Sequence, residues 1–496
     1  MSHDATTTSA TSNRRWYQRL GPGLITACVV IGPGSIMTSS NVGGRYGYGL
    51  SWVVVVAVVF MLVYMSLGAR LGVSTLQSPG TLIAGKVGRW FAILIGVSVF
   101  FISAAFQFGN NLGVHYALAT YIDFKYLIVI FNVLAIAFLL SFKNLYRALE
   151  KLMMLLVGVM LVAFACNLAI SGPRFGEWLA GFVPSRAIGL DISVLGLVGT
   201  TFVTTAAFYQ AYLVRQKGWS RDELSVGMID VRVGAFIMAA ITLVLMATSA
   251  TIFYPDFRIE QVVMESSDPE LPADRTLIID DSDPASFEEA RNRAQEEIDW
   301  ETGEPRWAVV LPVSKFEKKY SQDDDRPKTK PRGFNGLTEI GTALRPLFGA
   351  IGPTLFFLGV FAAAYSSFLV NSMIGGFILA DALGVGEKTE DKWPKIFTIT
   401  VLLTGMGVAL FVIETGVRPV PAIVAAQAVT VIASPLMAGT LLWLTNRKDI
   451  MGENRNGLMI NILAGVGFLM LLAMGWYVAS AKVWPAIQGW LNSAPA

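Results

Sequence analysis

Eleven apolar runs, each about as long as a helix needs to cross a bilayer, constrain this chain more than any other feature. They lie near 21–43, 50–67, 91–121, 126–142, 151–171, 190–214, 228–254, 347–383, 396–414, 420–444 and 457–480. With 54% hydrophobic and 15% charged residues among 496, the chain reads as an all-helical polytopic membrane protein, and a soluble enzyme is excluded. The charge is segregated: residues 256–339 hold 21 acids and 12 bases, which leaves 15 acids and 26 bases elsewhere. If every run spans, the basic groups of the short connections fall on one side (Arg14, Arg15 and Arg19; Arg70, Lys86 and Arg89; Lys143, Arg147 and Lys151; Arg215, Lys217 and Arg221; Arg447, Lys448 and Arg455). The positive-inside rule makes that side cytoplasmic. The expectation is a multi-pass protein of the plasma membrane with its N-terminus inside and its C-terminus outside.

Four segments follow: a cytoplasmic tail (1–19), seven spans (20–254), an acidic extracellular insertion (255–340) and four further spans (341–496). The insertion carries Asp280-Asp281-Ser282-Asp283 and Asp323-Asp324-Asp325 beside a few apolar anchors, Trp300, Trp307 and Tyr320. A small ordered cap and a disordered loop both suit that text. Cys28 and Cys166 lie in apolar runs, and His3 and His115 are the only histidines, so neither a disulfide framework nor a histidine-rich metal cluster is expected. His115 fits helix packing or, less simply, a proton relay. The N-terminus lacks a signal-peptide core, and no P-loop supports primary pumping. The expected partners are a small ionic solute and the lipid bilayer, with no nucleic acid; the sequence leaves the oligomeric state open.

Inside the first run, Ile31-Gly32-Pro33-Gly34-Ser35 places a proline between two glycines. Proline removes a backbone donor and glycine tolerates non-helical dihedrals, so a helix written across this stretch breaks there. Within a bilayer, freed backbone groups are tolerated where they line a cavity or bind something, which makes the break a binding-site expectation; a plain proline kink is the competing reading. Two inverted repeats of five spans would put a matching break in the sixth run, which reads Gly199-Thr200-Thr201-Phe202-Val203-Thr204-Thr205. Its threonines can coordinate a solute or bond back within an intact helix.

Several motifs together resemble the Nramp family of metal transporters over nearly the whole chain outside the insertion. Gly21-Pro22-Gly23-Leu24, Pro33-Gly34, Thr38, Gly44-Arg45-Tyr46-Gly47-Tyr48 and Trp52 follow the family's first-span signature. Ala69-Arg70-Leu71-Gly72, Leu179-Ala180-Gly181-Phe182-Val183-Pro184-Ser185, Ser366-Ser367, Gln427, Asn446-Arg447-Lys448 and Met451-Gly452 extend the match. The resemblance implies the leucine-transporter architecture, a 5+5 inverted repeat of eleven spans with spans 1 and 6 unwound at the substrate site and alternating access as the mechanism.

The family's chemistry does not carry over. Its first-span Asp-Pro-Gly-Asn has Gly32 and Ser35 here in place of the carboxylate and the amide. Its sixth-span Met-Pro-His becomes Val203-Thr204-Thr205, and a later histidine corresponds to Gln210. The third-span Asp and Glu that carry protons align with Gln107 and Asn110, and residues 396–413 hold no counterpart of the ninth-span arginines. Of the residues the family uses near its metal, Gln427 survives.

A dehydrated dication at mid-membrane needs carboxylate compensation, and transition metals want nitrogen or sulfur donors. Gly32, Pro33, Gly34, Ser35, Thr200, Val203, Thr204, Thr205 and Gln427, the expected substrate site, offer only neutral side chains and backbone. Half-helix N-termini favour negative charge, so the expected solute is a small anion of bicarbonate size. An anion entering a negative cell needs a coupled cation. Backbone and hydroxyl oxygens of Ile31, Ala363, Ser366 and Ser367 suit sodium, with packing through small residues as the competing reading. No other cofactor is expected. Transport of a hydrated magnesium-like dication, and a non-transporting scaffold or sensor, are the alternatives.

Overall fold

The computed structural model describes residues 31–485 apart from 120, 123, 125, 142, 185–190, 217, 219–220, 255–259, 265–274, 280–309, 312–327, 332–333, 335 and 389–390. The longer helices are α1 (Pro33–Tyr46), α2 (Ser51–Ser74), α3 (Pro79–Lys86), α4 (Arg89–Ala119), α5 (Leu127–Ser141), α6 (Lys143–Ile170), α7 (Ile192–Thr201), α8 (Thr204–Gln216) and α9 (Arg221–Ile252), followed by α10 (Gly352–Leu383), α11 (Lys392–Thr415), α12 (Pro419–Asn446) and α13 (Leu458–Val478). Each expected run from 50–67 onward contains a helix. Among the described residues, eight helical segments are long and apolar enough to cross a membrane; α5 and α6 contribute shorter apolar stretches, Leu127–Ala137 and Gly158–Ile170. The first half of the first run lies outside the described residues.

The two interrupted runs sit inside the bundle. Pro33 to Gly44 of α1 and Ser193 to Thr201 of α7 are buried throughout. α1 packs on α7 and α9, α8 packs on α2, and α4 with α10 and α11 forms the facing wall; α12 closes the group against α4 and α7. Small residues permit the closest approaches. A Cβ placed on Gly68 of α2 would collide with the Ala207 carbonyl of α8, and one on Gly376 of α10 would stand 2.7 Å from Thr398 Cα of α11. The Gly375-Gly376 pair therefore lets two helix backbones touch. Because the obstacle at Gly68 is backbone, Gly68→Val is expected to cost about 1–3 kcal/mol through overpacking, read as a lower melting temperature of the purified protein.

In the acidic segment, β1 (Glu260–Met264), β2 (Arg275–Ile279), β3 (Val310–Leu311) and β4 (Lys328–Pro331) form a sheet of order β3-β2-β1-β4. β1 runs antiparallel to β2 and β4, with Glu260 opposite Ile279 and Pro331, while β2 and β3 are parallel. Trp300, Trp307, Tyr320 and both runs of aspartate lie outside the described residues.

Candidate functional site

The sixth run breaks where the threonine text puts it; of the first run the described residues show a helix start at the glycine–proline pair, and the stretch before Ile31 lies outside them. Gly32 is extended (φ −98°, ψ −179°), and α1 starts at Pro33, whose missing N–H costs nothing at a first helical position. The Gly32 carbonyl accepts from the Ser35 and Ile36 amides, at 3.1 and 3.3 Å. The sixth run ends its first half at Thr201; Phe202 leaves the helix (φ −92°, ψ 70°), and α8 opens at Thr204 with the Val203 carbonyl accepting from Ala206 and Ala207. An intact sixth helix with back-bonded threonines is thus ruled out. A Cβ-bearing residue at Gly199 would meet the Gln427 carbonyl and Thr430 Oγ1, so α7 and α12 approach closely at the break.

A hydrogen bond of 2.6 Å between Ser35 Oγ and Thr200 Oγ1 joins the start of α1 to the break in the sixth run. Gln427 of α12 lies on the start of α1: a Cβ on Gly34 would stand 2.5 Å from its Nε2 and 2.7 Å from its Cδ. Gln427 is 1% exposed and its Oε1 has no partner; Thr204, also 1% exposed, has an equally unpartnered hydroxyl. Buried polar atoms of this kind cost free energy unless something completes them. Val203 and Thr205 are buried beside them in sequence.

The place of the family's first-span carboxylate is filled. A Cβ on Gly32 would stand 3.0 Å from Asn110 Oδ1 of α4 and 3.2 Å from Ser367 Oγ of α10. Ser367 Oγ in turn accepts from Asn371 Nδ2 at 2.6 Å. Ala363 is buried one turn earlier on the same helix, and the side chain of Ser366 lies outside the described set.

Gln107 and Asn110 are held in amide hydrogen bonds. Asn110 Nδ2 donates to Gln107 Oε1 at 2.8 Å, and Gln107 Nε2 donates to the Phe368 carbonyl of α10. Asn132 Nδ2 reaches Asn111 Oδ1 at 2.6 Å, and Asn111 Nδ2 the Gln107 carbonyl at 2.8 Å. Amides at neutral pH pass no proton, so this ladder fastens α4 to α5 and α10. Gln210 is buried, and its Cβ lies beside Gly68 of α2. His115 sets its ring edge-on to Tyr116, with Nδ1 unpartnered.

From the break, α1 and α7 are stitched outward along one polar seam. Thr38 faces Gly196, Asn41 Nδ2 donates to Ser193 Oγ at 3.1 Å, and Arg45 pairs with Asp191 at 2.9 Å, where Tyr46 also donates at 2.5 Å. The steps at Ser35, Thr38, Asn41 and Arg45 follow helical spacing, a signal already present in the sequence but read there only at its first member.

The opposite end gathers basic side chains. Arg70 donates to the carbonyls of Asn454 and Arg455, Lys86 and Arg447 share Asp449, and Arg215 grips Glu387 with two bonds of 3.1 and 3.2 Å. The Arg215 hydrogen bonds hold the Glu387 carboxyl below the usual carboxylate range.

The sequence family described as natural resistance-associated macrophage protein-like, Nramp, matches residues 23–267 and 327–480. The divalent metal cation transporter MntH of Verminephrobacter eiseniae is 24% identical over 467 residues, covering 91% of this chain and 87% of the relative. MntH of Chromohalobacter salexigens is 27% identical over 264 residues, 51% of this chain and 61% of the relative. Among solved structures, a manganese transporter of Eremococcus coleocola superposes with a TM-score of 0.66 at 15% identity, covering 99% of this chain and 92% of that one. MhsT in complex with L-phenylalanine gives 0.50 at 15% identity, over 91% and 98%. The fold is therefore that of these transporters, with the start of α1 meeting the interrupted sixth run inside a helical bundle, and by its sequence match the chain belongs to the Nramp family.

Proposed function

We propose that this Nramp-family transporter carries a small oxyanion, with bicarbonate as the leading solute and sodium as the coupling ion. The observation that carries this reading is the neutrality of the side chains gathered where α1 starts and the sixth run breaks: the paired Ser35 and Thr200 hydroxyls, the free Thr204 hydroxyl and the Gln427 amide, whose oxygen is also free. Among the described residues, no three His, Cys, Asp or Glu side chains form a group able to hold a metal ion. A dehydrated dication there would lack the compensating charge it needs.

The donor pattern suits a singly protonated oxyanion. Bicarbonate offers acceptor oxygens to the N-termini of α1 and α8 and to the Thr204 hydroxyl, and one O–H donor to Gln427 Oε1. Helix N-termini favour the negative charge by about 0.3–2 kcal/mol each. The coupling ion is assigned to oxygens near Ile31, Ala363, Ser366 and Ser367. Support comes from the extended backbone at Gly32 lying against Ser367, with Asn110 Oδ1 as a further oxygen. The basic end is taken as cytoplasmic by the positive-inside rule, in the plasma membrane.

A second reading follows from the relatives, which carry divalent metal cations by name: the free Gln427 oxygen would also accept from the water shell of a hydrated magnesium ion. Proteoliposomes separate the two. Labelled bicarbonate is expected to accumulate only under an inward sodium gradient; no accumulation, together with divalent-ion quenching of an enclosed dye, favours the cation, and silence in both assays favours a scaffold. Ser35→Ala and Thr204→Ala are each expected to slow bicarbonate uptake about 10–100-fold at unchanged expression, since a hydrogen bond to a charged group is worth about 1.5–3 kcal/mol. Unchanged rates would move the pocket elsewhere.

A further inference from the structure

Asp381, in the last turn of α10, is the one acidic side chain among the described residues that is buried, at 2% exposure. Its Oδ1 accepts from Ser78 Oγ at 2.5 Å and Thr81 Oγ1 at 3.3 Å. Its Oδ2 accepts from the Gly80 amide at 2.8 Å and the Tyr212 hydroxyl at 2.7 Å. Arg89 donates to the carbonyls of Asp381 and Ala382 rather than to the carboxylate. Three of the four donors belong to the start of α3, so the carboxylate caps that helix from outside and complements its N-terminal partial charge.

The fourth donor has a different place in the fold. Tyr212 belongs to α8, the helix whose first residues, Thr204 and Thr205, edge the solute hollow. It lies eight residues further on, about 12 Å along an uninterrupted helix. At the same end, Arg215 of α8 is paired with Glu387, just past α10. Two side-chain ties thus fasten the far end of α8 to α10, and a passage from the hollow to the basic end between these helices has to part both. Hydrogen bonds and a half-exposed ion pair are of a size that thermal motion opens and recloses. The carboxylate keeps its three α3 donors when the tyrosine leaves, so the opened state does not strand a buried charge.

We propose that Asp381 is a latch: its bond to Tyr212 holds the second half of the sixth span against α10 and opens when the solute site opens at the basic end. This rests on the alternating-access reading of the chain but not on which solute is carried.

Hydrogen exchange on the full-length protein in nanodiscs tests it. Tyr212→Phe keeps the ring and removes only the bonding hydroxyl. It is expected to raise amide exchange at least threefold across 204–216, with 192–201 and 352–371 unchanged. Arg215→Gln is expected to act in the same direction. Thr81→Val removes a donor to Asp381 that does not bridge to α8, and is expected to leave 204–216 as in the parent protein. Unchanged exchange of 204–216 in Tyr212→Phe overturns the latch. So does an equal rise over all three segments, which would mean that the hydroxyl only stabilises the bundle, and so does an increase in Thr81→Val matching that in Tyr212→Phe.

Discussion

Gly34→Ala is expected to lower solute uptake at least tenfold while leaving the melting temperature of the purified protein nearly unchanged. The added methyl carbon would stand 2.5 Å from Gln427 Nε2 and 2.7 Å from its Cδ, so one of the two must yield. Alanine is a better helix former than glycine and α1 is regular here, so the backbone has no reason to move. The amide is the flexible partner, and it swings away. Its free Oε1 then leaves the start of α1, and the buried acceptor that the proposed function assigns to the solute is lost. Uptake in proteoliposomes beside a thermal melt checks the pair of expectations. A parallel loss of stability would assign the glycine to packing alone.

Gly32→Asp, which restores the family's carboxylate, is expected to abolish anion uptake without creating manganese uptake. Two like charges about 4 Å apart at an effective dielectric constant of about 20 repel by about 4 kcal/mol, so a bound oxyanion loses two or more orders of magnitude in affinity. The new side chain also enters occupied ground, because Asn110 Oδ1 and Ser367 Oγ stand 3.0 and 3.2 Å from its Cβ. An amide oxygen beside a carboxylate is repulsive, and the positions that resemble the family's thioether and imidazole are Val203, Thr204 and Thr205, which supply no soft or nitrogen donor side chain for a transition metal. Parallel uptake assays for bicarbonate and manganese decide this. Manganese uptake from the single substitution would mean that the remaining ligand set is competent after all.

The helix start at Pro33 and the break in the sixth run were legible because backbone chemistry is local. Gly32-Pro33-Gly34 removes a donor and loosens the dihedrals within three residues, and the sixth-run break follows from the repeat, landing at Phe202-Val203 beside the threonines that mark it. Of the expected substrate-site positions, the structure brings Ser35 onto Thr200 and Gln427 onto Gly34. Contacts between distant elements were not legible. Nothing in the text of the third span says that Asn110 turns an oxygen toward Gly32, or that Gln107 is consumed by the Phe368 carbonyl. These depend on how α4 and α10 meet, which is set by packing over the whole wall. Gln210 illustrates the same limit: no local text announces that its Cβ lies beside Gly68 where α2 and α8 approach closely. Asp381 did leave a trace, an acid in the last turn of an otherwise apolar run at Ala380-Asp381-Ala382. An ionisable group in such a position asks for named partners, and these come from α3 and α8, some 300 and 169 residues away in sequence.

Absence of a metal at the meeting point of the broken helices is the claim on which the anion assignment stands. Crystals grown with manganese and measured at its absorption edge test that claim directly. The account predicts no anomalous peak among Ser35, Thr200, Thr204 and Gln427, and displacement of any solvent density there by bicarbonate. A strong anomalous peak within ligand distance of those oxygens would contradict it and make this protein a dication carrier like its named relatives.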